Sequence, residues 1–378
     1  MERCKIGRAQ LPLTSRARSW CWAYARLDLA IPILSMRNIL TGARSRTLCF
    51  VLVAVIATAT STQIRVPFGP WERASSTPII SPEGDGFESA GTFNPTVVKN
   101  DGKFVMLYRA QDHLGKSSLG YSTSEDGIHF VRRSDAVMVG EASYETGGGV
   151  EDPRLVKIGD TFYLTYTGYN NQGGSGMHAS GAIHGDAQLC MATSTDLIHW
   201  KRVGVIMPAY KGKWNVGWTK SGAIVPEKIR GKYWMYYLGD GAHQLTQMGI
   251  ASSSDLVHWT DALDHPVLSS RPKSFDSQVV EPGPAPVITQ DGIYLIYNGA
   301  DDNNVYRTGW VLFDKNDPTK ILARAQQPIF EPTEDWEKKG QVPNVVFVEG
   351  SVRDGNRWLF YYGGADKYVG VASAPMVE

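Results

Sequence analysis

From about residue 88 onward, hydrophobic and polar positions recur with one long period. A turn is followed by an apolar or aromatic residue, a Tyr four positions later, and a small residue two beyond that. The copies are Phe104 with Tyr108 and Ala110, Phe162 with Tyr166 and Gly168, Tyr233 with Tyr237 and Gly239, Ile293 with Tyr297 and Gly299, and Trp358 with Tyr362 and Gly364. Successive tyrosines lie 58, 71, 60 and 65 residues apart, too far for a hairpin repeat and regular enough for an array of larger units. A second element follows the first three copies: Ser124-Glu125-Asp126-Gly127-Ile128-His129-Phe130, Ser194-Thr195-Asp196-Leu197-Ile198-His199-Trp200 and Ser254-Asp255-Leu256-Val257-His258-Trp259. Each reads as a turn into an outer strand. Extended segments open the units at 93–98, 151–158, 221–225, 281–287 and 348–352.

Four strands in each of five units predict an all-β fold, a five-bladed β-propeller, in which radial repetition leaves only short edges. The last unit stops early, so the N-terminal segment 71–80 is expected to supply its outermost strand and close the ring. The expected organisation is 1–35 as an upstream extension, 36–61 as a signal peptide and 62–378 as the propeller. Met36 offers a second start. Arg37, Arg44 and Arg46 precede the apolar run 47–59, which ends in Ala57-Thr58-Ala59, the pattern of a secretory signal. A secreted or periplasmic protein is expected, without stable membrane association unless that segment stays uncleaved.

Composition narrows the partners. The chain has 378 residues with 11 Trp, 17 Tyr and 39 Gly, a turn-rich aromatic globular protein. Its net charge is formally zero, but residues 1–61 hold nine Lys and Arg against two Asp and Glu, leaving 29 basic and 36 acidic residues beyond them. A mildly acidic body disfavours nucleic acid and suits an uncharged substrate such as a sugar. Cys190 is the one cysteine of the body and reads as a buried thiol in an apolar strand. The eight histidines form no metal motif, and neither metal nor cofactor is expected.

The chemistry centres on Gly149-Val150-Glu151-Asp152-Pro153-Arg154. Pro153 cannot donate to a ladder and belongs at a strand start or edge, which sets Asp152 at a strand mouth. Strand alternation predicts that Glu151 and Asp152 face opposite ways and that Arg154 shares a face with Asp152. Asn94, Asp152, Lys220, Glu281 and Glu349 fall at the openings of five different units and differ from one another, as a site demands and a structural repeat does not. Arg154 and Asn298 join them as candidates for contact with substrate. Two carboxylates on one cleft suit glycoside cleavage, one giving a proton to the leaving oxygen. Trp214, Trp218 and Tyr169 are candidates for stacking on sugar faces. A sugar-binding propeller without catalysis also fits this pattern.

These residues resemble glycoside hydrolase family 130, the mannoside phosphorylases and related mannosidases, over about 66–376. The likeness rests on Asn94-Pro95, Tyr108-Arg109-Ala110, Gly149 to Arg154, Ser124 to Phe130, Pro226 to Tyr233, Gly283-Pro284-Ala285-Pro286 and Gly364-Ala365-Asp366. It implies that Asp152 is the general acid, acting through a mannose hydroxyl, and that Arg109, Asn94 and Asp366 hold the sugar. Family phosphorylases bind phosphate with two arginines and a lysine. Lys220 matches the lysine, whereas the arginines would fall near Gln188 and Leu238. The expectation is therefore an inverting β-mannosidase with Glu281 as base, Glu227 and Glu349 as rivals. The alternative is a β-mannoside phosphorylase. The insertion 170–186 reads as a lid or a surface loop.

Overall fold

The computed structural model describes residues 65–172, 185–209, 212–241 and 245–377. The expected extension, the signal segment and most of the insertion 170–186 lie outside them. The described chain is almost entirely β. After a short strand β1 (Glu72–Arg73), the first unit holds β2 (Gly91–Asn100), β3 (Lys103–Gln111), β4 (Ser117–Ser124) and β5 (Val131–Arg132). The second holds β6 (Gly147–Ile158), β7 (Thr161–Asn170), β8 (Asp186–Ser194) and β9 (Lys201–Met207). The third holds β10 (Thr219–Ile224), β11 (Tyr233–Asp240), β12 (Thr246–Ser253) and β13 (Thr260–Asp261). In the fourth, β14 (Val279–Pro282) continues as β15 (Val287–Ile288), then β16 (Ile293–Ala300), β17 (Tyr306–Phe313) and β18 (Ile321–Arg324). The fifth holds β19 (Val346–Asp354), β20 (Arg357–Gly364) and β21 (Tyr368–Pro375), and β1 completes it by pairing Glu72 with Ser373 and Arg73 with Ala372. Within each unit the strands form an antiparallel meander.

The repeated Tyr owes its place to three partners. Its ring lies across the next strand from a residue with little or no side chain: Gly120 for Tyr108, Gly249 for Tyr237, Gly309 for Tyr297 and Gly370 for Tyr362. A Cβ on Gly120 would fall 2.3 Å from the Tyr108 ring, so only glycine leaves room. In the second unit Cys190 stands opposite Tyr166, which makes this thiol a packing element, and burial pushes its titration far up. Each Tyr hydroxyl then donates to a carboxylate: Tyr108 to Glu88 at 2.7 Å, Tyr166 to Glu145 at 2.8 Å, Tyr297 to Asp276 at 2.7 Å, Tyr362 to Glu337 at 2.8 Å, and Tyr237 to Asp261. In four units an arginine of the outermost strand grips that acid: Arg132, Arg202, Arg324 and Arg73. The third unit departs, with Asp261 in the arginine's place and Asn215 donating to the Tyr237 hydroxyl at 2.8 Å. Charge-assisted bonds of this kind hold a carboxylate that burial would otherwise penalise.

The Ser-Asp-His elements are turns, as expected. Asp126 Oδ1 accepts the backbone amides of Ile128 and His129 while Oδ2 meets His129 Nδ1 at 2.7 Å. The third copy begins at Ser253 rather than Ser254, since Ser253 Oγ bonds Asp255. Hydrophobic clusters lie between units, joining the first to the second, second to third, third to fourth and fourth to fifth. One further cluster joins Val97, Phe104 and Tyr108 of the first unit to Leu359, Tyr361 and Val371 of the fifth.

Candidate active site

Bulges in four of the five opening strands shape the site. Register slips between Phe93 and Pro95, between Glu151 and Arg154, between Lys220 and Ala223, and between Val348 and Gly350. The residues at three of these slips, Asn94, Asp152 and Ser221, carry φ of 49, 52 and 59°. Bulges re-aim side chains, and left-handed backbone at non-glycine residues is a cost of about 1–3 kcal/mol each that accumulates at functional sites. Ser221, not Lys220, is thus the equivalent of Asn94 and Asp152, and Lys220 is the equivalent of Glu151. Pro153 sits within this bulge in the interior of β6, not at a strand start.

The bulge overturns the simple alternation of Glu151 and Asp152. Arg109, at the end of β3, places Nη2 2.6 Å from Glu151 Oε1 and Nη1 3.1 Å from Asp152 Oδ1, so one guanidinium fork serves both carboxylates. Its Nε donates to Ser117 Oγ at 3.0 Å, and Ser117 Oγ donates to Glu151 at 3.2 Å. Ser117 can approach because β4 pairs in parallel with β6 at Gly149, which has φ 96° and where a Cβ would meet the Ser117 carbonyl oxygen at 2.0 Å. Asn94 Nδ2 donates to Asp152 Oδ1 at 2.8 Å, and Lys220 Nζ lies 3.8 Å from Asp152 Oδ2.

Arg154 donates to the backbone carbonyl of Asp152 at 3.3 Å rather than to its carboxylate. It reaches across to the fourth and fifth units, donating to the carbonyls of Gly283 at 3.1 Å and Pro282 at 2.8 Å, with Nη2 2.9 Å from Glu349 Oε1 and 4.0 Å from Glu281 Oε1. Glu281 accepts from Ser221 Oγ. Asp366, at φ 51° in the β20–β21 turn, belongs to the same cluster through its electrostatic coupling to Arg109, Asp152 and Lys220. Asp152, Lys220, Glu281, Glu349, Asn94, Arg109, Arg154 and Asp366 are therefore brought together.

Three expectations fail. Glu227 lies in the exposed turn after β10, some seven residues and roughly 20 Å along the strand from Lys220, so it is no base for this site. Asn298 is fully buried and spends its amide on the Val348 backbone, at 2.9 Å to both N and O, as a clamp between β16 and β19. Trp214 is core, packed on Gly239 and Gly249 beside Tyr237. Trp218 and Tyr169 do meet edge to face at 5.8 Å, with Lys220 Nζ 5.6 Å from the Trp218 ring centroid. Leu238, one expected arginine position, is the cross-strand partner of Lys220.

Sequence reasoning missed Glu151, Ser117, Ser221 and Tyr306 as members of the cluster. Tyr306 opens β17, and burial, together with Glu281, Asp366 and Asp152 nearby, pushes its hydroxyl far up. Nothing in its local sequence marks it. Ser221 could have been found by placing Ser221-Gly222 against Asn94-Pro95 and Asp152-Pro153.

The carboxyls are driven apart in charge. Burial alone would raise Asp152, but Arg109, Lys220 and the Asn94 hydrogen bond outweigh it and hold the carboxylate well below its usual range. Burial raises Glu151 and Glu281 against the pull of Arg109 and Arg154 respectively. Burial likewise lifts Asp366 to about 7 and Glu349 far above the carboxylate range. Among the described residues no well-aligned donor reaches either oxygen of Glu349. Lys220 stays charged despite burial because Asp152, Glu151 and Glu281 surround it. Such divergence among neighbouring carboxyls is the signature of acid and base work. Among the described residues no group of His, Cys, Asp and Glu is arranged to hold a metal ion, and no helix is long and apolar enough to cross a membrane.

Residues 80–378 match the family model of glycoside hydrolase family 130, described as β-1,4-mannooligosaccharide phosphorylase. A 1,2-β-oligomannan phosphorylase of Thermoanaerobacter sp. is 39% identical over 81% of this chain and 98% of its own. A β-1,2-mannobiose phosphorylase of the same organism is 37% identical over 79% of this chain and 95% of its own. Among solved structures, one from work on family members that are glycoside hydrolases targeting β-1,2 mannosidic linkages in Candida mannan is 35% identical. It has a TM-score of 0.70 and covers 81% of this chain and 94% of its own.

Proposed function

Since the chain belongs to glycoside hydrolase family 130, we propose that it cleaves β-mannosidic bonds of short oligosaccharides, with Asp152 giving the proton to the leaving oxygen and inorganic phosphate taking the mannosyl group. The hydrolysis expected from the sequence takes second place, because the curated relatives at 39% and 37% identity are phosphorylases. Their β-1,2 specificity also makes that linkage the first to test here.

The observation that carries the proposal is Lys220 beside Asp152. Its side chain keeps 20% exposure, whereas Arg109 and Arg154 are committed to carboxylates and carbonyls. Asp152 in the free protein is held charged, the wrong state for an acid. A phosphate dianion at Lys220 would draw that cation away and add negative charge nearby, both of which raise Asp152 toward protonation. The acid would thus be armed when the nucleophile arrives. Phosphate then attacks the anomeric carbon as the bond to the leaving oxygen breaks, and that oxygen takes the proton, directly or through a mannose hydroxyl. Arg109, Asn94 and Asp366 orient the sugar.

A specific observation favours the second reading, water as acceptor. The cluster gathers Glu151, Asp152, Glu281, Glu349 and Asp366 around three cations, and Glu281, bonded by Ser221, stands ready as a base for water. A site rich in carboxylates resists a dianion unless several are protonated. Product analysis on β-1,2- and β-1,4-mannobiose, with and without phosphate, decides. Mannose 1-phosphate formed only with phosphate supports phosphorolysis. Free mannose at equal rates in both establishes hydrolysis.

The same proposal takes the five units as blades of a closed propeller. Support comes from the cluster that joins the first unit to the fifth and from β1, whose Arg73 fills the arginine position of the fifth unit. For the leader we propose secretion, which N-terminal sequencing of the mature protein would test.

A further inference from the structure

Beyond Tyr306 the fourth unit carries a polar groove of about 440 Å³. It opens at Arg307, the neighbour of a residue that faces the catalytic carboxyls, and runs over the Asp301–Asn303 loop to Lys273 and Glu331. Its groups are held in place. Arg307 Nη1 lies 2.8 Å from Asp301 Oδ2 and Nε 3.2 Å from Glu331 Oε2, while Asp302 Oδ1 accepts from Ser277 Oγ at 2.6 Å and Gln278 Nε2 at 2.7 Å. Among the described residues, Arg307 Nη2 and Asp302 Oδ2 take no partner, so a fixed donor and a fixed acceptor remain for a ligand. Charges along the groove nearly cancel, which suits many hydroxyls on a neutral chain better than an ion. Pinned polar side chains bind with little further loss of freedom.

The groove borders the strands that carry the mouth. Glu281 pairs with Asn298, Val279 pairs with Ala300, and the groove begins with Ser277 and Asp301 at the next level. That puts it roughly 13 Å along the strand from Glu281, beyond the reach of a disaccharide bound at Asp152. We propose that this groove is a distal subsite for the remote sugars of a β-mannan oligosaccharide whose scissile bond lies at Asp152. The inference rests on the mannoside reading above and deepens it: substrates longer than a disaccharide are favoured.

The test compares β-1,2-mannobiose with β-1,2-mannotetraose for the wild type, Arg307→Ala, Asp302→Ala and Gln327→Ala, the last a groove residue outside these ion pairs. The wild type is expected to favour the tetraose by about tenfold or more in kcat/KM. Each variant should cut that preference severalfold and leave the biose value within twofold. Equal loss on both substrates, or an unchanged preference in every folded variant, overturns the subsite. A wild type inactive on both sugars overturns the mannoside reading instead. Calorimetric titration of Asp152→Asn with the tetraose then judges the groove alone, and binding unaffected by Arg307→Ala rejects it.

Discussion

Two sets of buried carboxylates share this molecule and do opposite things. Glu88, Glu145, Asp276 and Glu337 each meet one tyrosine and an arginine of the outermost strand, unit after unit, and Asp276 takes a second arginine, Arg271. Glu151, Asp152, Glu281, Glu349 and Asp366 gather at one place, each with different neighbours. The repeated acids whose titration shifts, Glu145 and Asp276, are held charged despite burial by their arginines and by a hydrogen bond from Tyr, to which Glu145 adds two backbone amides. In the convergent set, only Asp152 is held down, and the others are raised. Burial alone does not make a carboxyl catalytic. Sharing too few cations among too many acids drives their titrations apart.

The comparison breaks most visibly at Asp152. Asp152→Asn should lower kcat about 10²–10⁴-fold with the fold intact by circular dichroism, while Glu145→Gln should leave kcat within severalfold. Equal effects would put both acids in one class. Next comes Arg154, which holds Glu349 and the β14 carbonyls. Arg154→Met should destabilise by about 3–5 kcal/mol in urea unfolding, because uncompensated buried groups remain. Arg202→Met should cost less, since Glu145 keeps Tyr166 and two backbone amides. A third test uses pH. Asp366 is raised in the folded protein to about 7, so the stability it lends is complete below the ordinary carboxylate range and is lost as pH rises through about 7. Asp366→Asn should flatten that part of the Tm profile, and an unchanged slope would reject the shift. The smallest effect belongs to the exposed turns. Asp196→Ala should lower Tm by a few degrees at most and leave kcat within twofold. A large loss of activity there would contradict its reading as turn chemistry.

The repeat itself was legible because Tyr and its trailing small residue are demanded by packing: in the last four units the small residue, on the Tyr's own strand, leaves room for the ring of Tyr144, Trp214, Phe275 or Trp336. The partners of the Tyr hydroxyl were not, since the acids come from connecting segments and the arginines from the outermost strands at irregular spacing. At the site, Asp152, Asn94, Glu281 and Glu349 could be found by comparing the openings of the units. Glu151 was set aside by strand alternation, a rule that the bulge at Asp152 and Pro153 suspends. Asn298 was misplaced because a buried amide reads alike in sequence whether it meets sugar or backbone. Glu227 belonged to a motif that the likeness carried but the geometry leaves on the far turn.

The pairing of β1 with β21 also bears on how the chain reaches its native state. Glu72 meets Ser373 across almost the whole folded length, so a strand made early must wait for one made late. Loop-closure entropy grows only with the logarithm of the intervening length, so the delay is kinetic far more than thermodynamic. Until β21 is available, Arg73 has no place beside Glu337 and Tyr362, and the fifth unit presents an unpaired edge. Refolding should therefore end in a slow step that registers at Trp71, stacked 3.6 Å from Phe360, after the other units have formed.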